Sequence, residues 1–165
     1  MNLFVHLLIH ILFGLLAGFI VWRIWKKIIL SFFSALLSGV AVDFDHLIDY
    51  FLVFGADFRL DYFINGYSFL KSDKIYVLFH GWEYVIIGAA LALILENKTA
   101  KTIFLALSLG LFFHLSADVF IDNLPVKSYS LLYRAKNNFD SQKLLYPDHW
   151  QKHLRQKGEL ILIKE

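Results

Sequence analysis

The sequence predicts an all-α, polytopic membrane protein: four transmembrane helices in a bundle, followed by an amphipathic C-terminal segment at the membrane interface. Three observations carry this expectation. Of the 165 residues, 58% are hydrophobic and the mean hydropathy is +0.58, too apolar for an ordinary soluble domain. The apolar residues gather in four runs of roughly twenty, the length that crosses a hydrocarbon core of about 30 Å at about 1.5 Å per residue. Short turns rich in Lys and Arg separate the first run from the second and the third from the fourth.

Leu3 to Trp22 is the first run, closed by Arg23, Lys26 and Lys27. It lacks a basic leader and a small-residue cleavage site, so it reads as a retained anchor and not a signal peptide. Ile28 to Phe54 is the second, interrupted by the polar stretch Asp43 to Asp49. Residues 55–74, with Gly55 and Gly66, read as a loop. Ile75 to Leu95 and Thr102 to Ile121 are the third and fourth runs, joined by Glu96 to Lys101. Small residues at Gly14 and Gly18, Ser34 and Ser38, and Gly88 and Ala92 recur at the four-residue spacing that allows close helix contact in lipid.

These runs make residues 1–124 a membrane domain and leave 125–165 as a polar, basic segment. Eight of the sixteen Lys and Arg lie after Pro125. Ser128 to Phe139 has the mixed pattern of a helix lying at the interface, and Asp148 to Lys157 reads as solvated, with Gly158 as its stop. Leu160 to Ile163 is too short to span. Membrane lipid is the expected partner. The basic residues form no nucleic-acid-binding motif, which excludes nucleic acid as one. The chain has no cysteine, so any metal must be held by nitrogen and oxygen.

Function is written in the ionisable residues inside the apolar runs. They read His6-x3-His10, Asp43-Phe-Asp45-His46, His80-x2-Glu83 and His114-x3-Asp118. A charge at the bilayer centre costs about 2.5–3.5 kcal/mol on insertion scales, so these groups must satisfy one another. A shared divalent metal is the simplest way. If the helices alternate in direction, all four groups fall in one leaflet, an agreement that chance would give about one time in eight. Spacings of three and four residues also set His80 with Glu83, and His114 with Asp118, on common helix faces. Imidazole and carboxylate donors favour zinc, with manganese or magnesium as alternatives. The expected metal ligands are His10, Asp45, His46, His80, His114 and Asp118. Glu83, then Asp43, is the expected catalytic base. His6 is expected at the water interface, Asp49 beside the site or at a solvated helix end, and His149 and His153 on the surface.

In this order on four apolar spans, His10-x3-Gly14, Asp43-Phe-Asp45-His46, His80 and His114-Leu-Ser-Ala-Asp118 resemble the YdjM-like family of small membrane-bound metal-dependent hydrolases. The resemblance covers roughly residues 6 to 122. It implies a protein of the cytoplasmic membrane of a bacterium or archaeon with a metal-dependent hydrolase assignment. Two departures stand out. Val42 occupies a position where the family often has proline, and Tyr76, Val77, Phe79 and His80 replace a His-Arg-x-x-Thr-His pattern. Glu83 is then the substitute ligand or base, and Arg59 or Arg134 the substitute cation.

The chemistry expected of such a site is hydrolysis of a lipid or amphiphilic ester or phosphoester by a metal-activated water. No G-x-S-x-G motif supports a serine nucleophile. Two other classes share the pattern: a metal or proton transporter, which needs access from both faces, and a scaffold whose polar network only joins helices. Arg23, Lys26, Lys27, Lys98 and Lys101 in the short turns favour a cytoplasmic location for those turns and an outward-facing site.

Overall fold

The computed structural model describes residues 3–162, all of whose regular elements are helical. In chain order they are α1 (Leu3–Trp25), α2 (Ile28–Gly39), a 3-10 turn (Ala41–Phe44), α3 (Asp45–Phe54), α4 (Leu60–Ile64), α5 (Tyr67–Ser72), α6 (Trp82–Ile94), α7 (Lys98–Ile121), a second 3-10 turn (Val126–Tyr129), α8 (Leu131–Lys136), α9 (Ser141–Leu144) and α10 (Pro147–Leu162). They pack as two compact units: residues 3–43 with 79–123, and 44–78 with 124–162. The stretch 44–78 therefore groups with the C-terminal segment, across the boundary expected at 124.

The first unit holds α1, α2, α6 and α7. Two of its helices, over Phe4–Trp25 and Lys98–Ile121, are long and apolar enough to cross a membrane, and Ile28–Gly39 reaches a third span only when joined to Ala41–Phe54 across the break at Val40. The third apolar run is helical only over the 13 residues Trp82–Ile94, about 20 Å at the usual rise. So the structure has two candidate spans, or three with the broken pair, where four unbroken ones were expected. The shortening has a local cause. Asp49 accepts hydrogen bonds from the amides of Tyr76 and Val77 at 3.0 and 3.1 Å, and Val77 has a positive φ of 31°. The positive φ of Val77 lies outside the helical region, so no α-helix can run through this residue.

α7 packs against α1, α2 and α6, and small residues set how closely they approach. In lipid no hydrophobic force drives helices together, so contact rests on backbone proximity and packing. Ala17, Val21, Ala35 and Ala106 form a fully buried centre. Gly14 and Gly18 meet Leu36 and Phe32 of α2, and Gly88 meets Ser108 of α7. At the other face Phe4, Leu12, Phe19, Phe33, Ile86 and Leu93 stand exposed, as lipid-facing side chains do. Lys27 Nζ donates to Thr99 Oγ1 at 2.5 Å, while Asn97 caps α7 through the amides of Thr99 and Ala100. The two basic turns therefore share one end of this unit.

Gly110 is the tightest point. A Cβ there would collide with the Ala35 carbonyl and stand 2.5 Å from Ser38 Oγ. Neither group can retreat without moving α2, so Gly110→Ala is expected to cost about 1–3 kcal/mol through overpacking. A thermal melt in detergent followed by circular dichroism checks this, and an unchanged melting temperature contradicts it.

The second unit is organised by buried polar groups. Arg134 is fully buried, and its guanidinium donates to the carbonyls of Ser128 and Val77 at 2.8 Å each. Tyr50, also fully buried, sits among Phe51, Phe54, Phe58 and Phe63, donates to the Asp57 carbonyl and accepts from the Arg59 amide. The expected loop at 55–74 thus contains α4 and α5. A bridge between Lys74 and Asp140 joins it to the C-terminal segment, with Ile75 N donating to Phe139 O at 2.9 Å. Gly158 does not stop the last helix, which runs on to Leu162. The side chains from Leu160 onward lie outside the described residues.

α10 is tethered through Asp73, which accepts from His153 Nε2 at 2.8 Å and pairs with Lys157. His153 is 7% exposed. It is therefore a buried tether, not the surface histidine its polar neighbours suggested. Partial burial pushes the Asp73 carboxyl up, but Lys157 and His153 outweigh it and hold the group below its ordinary value. Its stabilising contribution is complete above the unfolded value of 3.8 and is lost as pH falls through the lower folded value. Asp73→Asn is expected to cost about 0.5–1 kcal/mol, less in high salt. Hydrogen exchange of α10 amides in low and high salt checks it, and equal exchange in wild type and variant contradicts it.

Candidate metal centre

Six histidine and aspartate side chains of the first unit reach the same end of its helices. His6 and His10 lie in the first third of α1, Asp43 in the turn after α2, His80 just before α6, and His114 and Asp118 near the end of α7. α1 and α7 each place two residues four apart, which projects both to one face. Four imidazoles and two carboxylates thus meet at that end of the unit.

The contacts centre on His114 Nε2. It lies 3.0 Å from His80 Nε2, 3.2 Å from Asp118 Oδ2 and 3.4 Å from Asp43 Oδ1. His80 Nε2 is itself 3.2 Å from Asp43 Oδ1 and 3.9 Å from Asp118 Oδ2. The other nitrogen of His114 is 3.1 Å from the carbonyl of Gly39. A carbonyl only accepts, so Nδ1 donates to it and Nε2 is the ring nitrogen turned toward the other groups. The two carboxylates are also acceptors. Two imidazole nitrogens and two carboxylate oxygens thus crowd one point, a crowding of lone pairs that a proton or a cation must relieve.

A divalent ion removes this conflict. Zinc with bonds of about 2.0–2.1 Å in tetrahedral geometry has ligand atoms about 3.3–3.4 Å apart, within the 3.0–3.9 Å spread seen here. The set is also buried, as Asp118 is 4% exposed, His80 2% and His114 not at all. Asp43 is the more accessible carboxylate, with 29% of its side chain exposed. The residues present fit a divalent metal by donor type, spacing and burial.

His10 and His6 complete the group. His10 is fully buried, its Nε2 2.8 Å from His6 Nε2 and 3.1 Å from Asp118 Oδ1, and its ring stacks on that of His114 with centroids 4.0 Å apart. His6, expected at the interface, is instead within reach of Asp118 Oδ1 at 3.8 Å, with 24% of its side chain exposed. Its i, i+4 relation to His10 was the available signal. The Gly39 carbonyl that orients His114 had none in the sequence.

Of the remaining expected residues, His46 is among those with metal-ligand spacing. Asp45, buried, and His46, half-buried with its ring edge-on to Phe69, begin α3 in the second unit. Asp49 holds the Tyr76 and Val77 amides and is no solvated helix end. Glu83 lies half-buried in the first turn of α6 and, among the described residues, belongs to no group able to share an ion. Arg59 is exposed and pairs with Asp61, and Arg134 is committed to backbone carbonyls. Neither expected cation belongs to the first unit. The chain matches no protein-family model, no curated protein and no solved structure.

Proposed function

We propose that this chain is a membrane-embedded metal-dependent hydrolase, of the kind its YdjM-like motifs imply, that cleaves an ester or phosphoester bond in a lipid or amphiphile. The observation that carries the reading is the group of two imidazole nitrogens and two carboxylate oxygens at His114 Nε2, buried in an apolar helical unit. His80, His114 and Asp118 would hold the ion, three protein ligands with a fourth position left for water, as in catalytic zinc sites. Bound there, the ion would bring the pKa of a water toward about 7 and polarise the scissile bond. Asp43, the accessible carboxylate of the group, would take the proton from that water, with Glu83 as the alternative base.

The lipid assignment rests on a cavity of about 550 Å³ in the same unit, lined by Leu37, Ala41, Val42, Phe79, Leu91 and Leu107 among others. Its size falls in the usual range of about 300–1,000 Å³ for small-molecule sites. Its lining is apolar and includes the neighbours in sequence of both Asp43 and His80, which suits an acyl chain whose polar linkage meets the ion. In this reading all four apolar helices of the unit lie in the bilayer, and the basic turns at 23–27 and 96–101 are cytoplasmic, so that the site opens outward.

The test is hydrolysis of defined phospholipids and monoacyl esters by the purified chain in nanodiscs, with and without chelator. Asp43→Asn is expected to lower kcat by about 10²–10⁴-fold while metal content holds. Equal activity in the variant, or activity indifferent to chelation, refutes the assigned roles.

A further inference from the structure

We infer that the site takes two divalent ions, with His6 and His10 binding a second one beside that of His80 and His114, and Asp118 bridging the pair. This extends the metal reading above and rests on it. The two oxygens of Asp118 are used differently. Oδ2 faces His114 and His80 at 3.2 and 3.9 Å, whereas Oδ1 faces His10 and His6 at 3.1 and 3.8 Å. His6, His10 and Asp118 form one group with metal-ligand spacing, and His80, His114 and Asp118 form another. His10 also shares a group with Asp43 and His114, but among the described residues no such group contains His6 together with His80 or His114. A single ion therefore cannot collect all these donors. A carboxylate with one oxygen toward each of two histidine pairs is the arrangement that holds ions about 3.5–4 Å apart in two-metal hydrolases.

Hydrogen bonding inside the group points the same way. Asp118 Oδ1 is buried and has no hydrogen-bond partner among the described residues, although His10 Nε2 stands 3.1 Å from it. His10 Nδ1 is likewise buried without a partner. An ion between Asp118 Oδ1, His10 Nε2 and His6 Nε2 would satisfy that oxygen. The partial exposure of His6 leaves that ion a coordination position open to water. The second ion would then face the first across Asp118, and the pair could grip both the attacking and the leaving oxygen of a phosphoester.

The experiment is titration of the metal-free, full-length chain in nanodiscs with Mn²⁺, followed by elemental analysis and electron paramagnetic resonance. Two equivalents per chain with an exchange-coupled signal are expected in the wild type. The double variant His6→Ala/His10→Ala is expected to fall to one equivalent with an uncoupled signal. His6→Ala alone is expected to weaken the second equivalent by about 10–100-fold. One uncoupled ion in the wild type, lost in His114→Ala, overturns the second site and leaves the hydrolase reading standing. No bound ion at all overturns both. If the double variant fails to fold, the wild-type coupling and the single His6 variant decide.

Discussion

His114→Ala is expected to abolish stoichiometric metal binding and to lower hydrolysis by about a thousandfold or more, with helix content little changed. His114 Nε2 is the atom against which the other donors are arranged, at 3.0–3.4 Å from His80, Asp118 and Asp43. Its loss removes a ligand and separates the two that remain. An ion acting on water and on the scissile bond supplies several kcal/mol of transition-state stabilisation, and each 1.36 kcal/mol is about tenfold in rate. The substitution also strips the Gly39 carbonyl of its donor, so a modest fall in melting temperature should accompany it. His114→Gln cannot reproduce both the Gly39 bond and a nitrogen lone pair toward the ion, and should fail equally. Metal analysis beside a circular dichroism spectrum checks both variants. Retained metal in either one contradicts the assignment of His114.

The second large effect is expected at Arg134. Arg134→Met leaves a volume-matched apolar chain but frees two buried carbonyls, those of Ser128 and Val77. An unsatisfied buried polar group costs about 1–3 kcal/mol, so the variant should lose about 3–5 kcal/mol. The two bonds connect sequence-distant parts of the second unit, Val77 before α6 and Ser128 before α8. Their loss should show as rapid proteolysis and fast hydrogen exchange across residues 124–150. Protection equal to that of the wild type would contradict the role given to this arginine.

How much of this was legible in the sequence differs from element to element. The long apolar helices at Phe4–Trp25 and Lys98–Ile121 follow directly from composition, because a run of twenty apolar residues has few other fates. The convergence of His10, His80, His114 and Asp118 followed from helix alternation and i, i+4 spacing. The third span did not follow. Its residues are apolar enough, but Val77 takes a positive φ of 31° while Asp49, 27 and 28 positions away, binds the Tyr76 and Val77 amides, a local conformation that hydropathy cannot register. Arg134 and His153 were read as surface groups or as a cation for the site because their neighbours in sequence are polar. Burial there comes from partners 57 and 80 residues away, Val77 and Asp73. Glu83 shares a helix face with His80 only if His80 is helical, and α6 begins two residues later, at Trp82.

The central claim is that a buried cluster of histidine and aspartate in a membrane helical unit binds a divalent metal. Elemental analysis of the chain purified in lipid nanodiscs, after incubation with zinc and removal of the excess, tests it most directly. Folded wild type should retain zinc in whole-number stoichiometry, and folded His80→Ala and His114→Ala should not. A folded wild type that holds no zinc, manganese or magnesium after such loading would contradict the claim and leave the cluster as a hydrogen-bonded network joining helices.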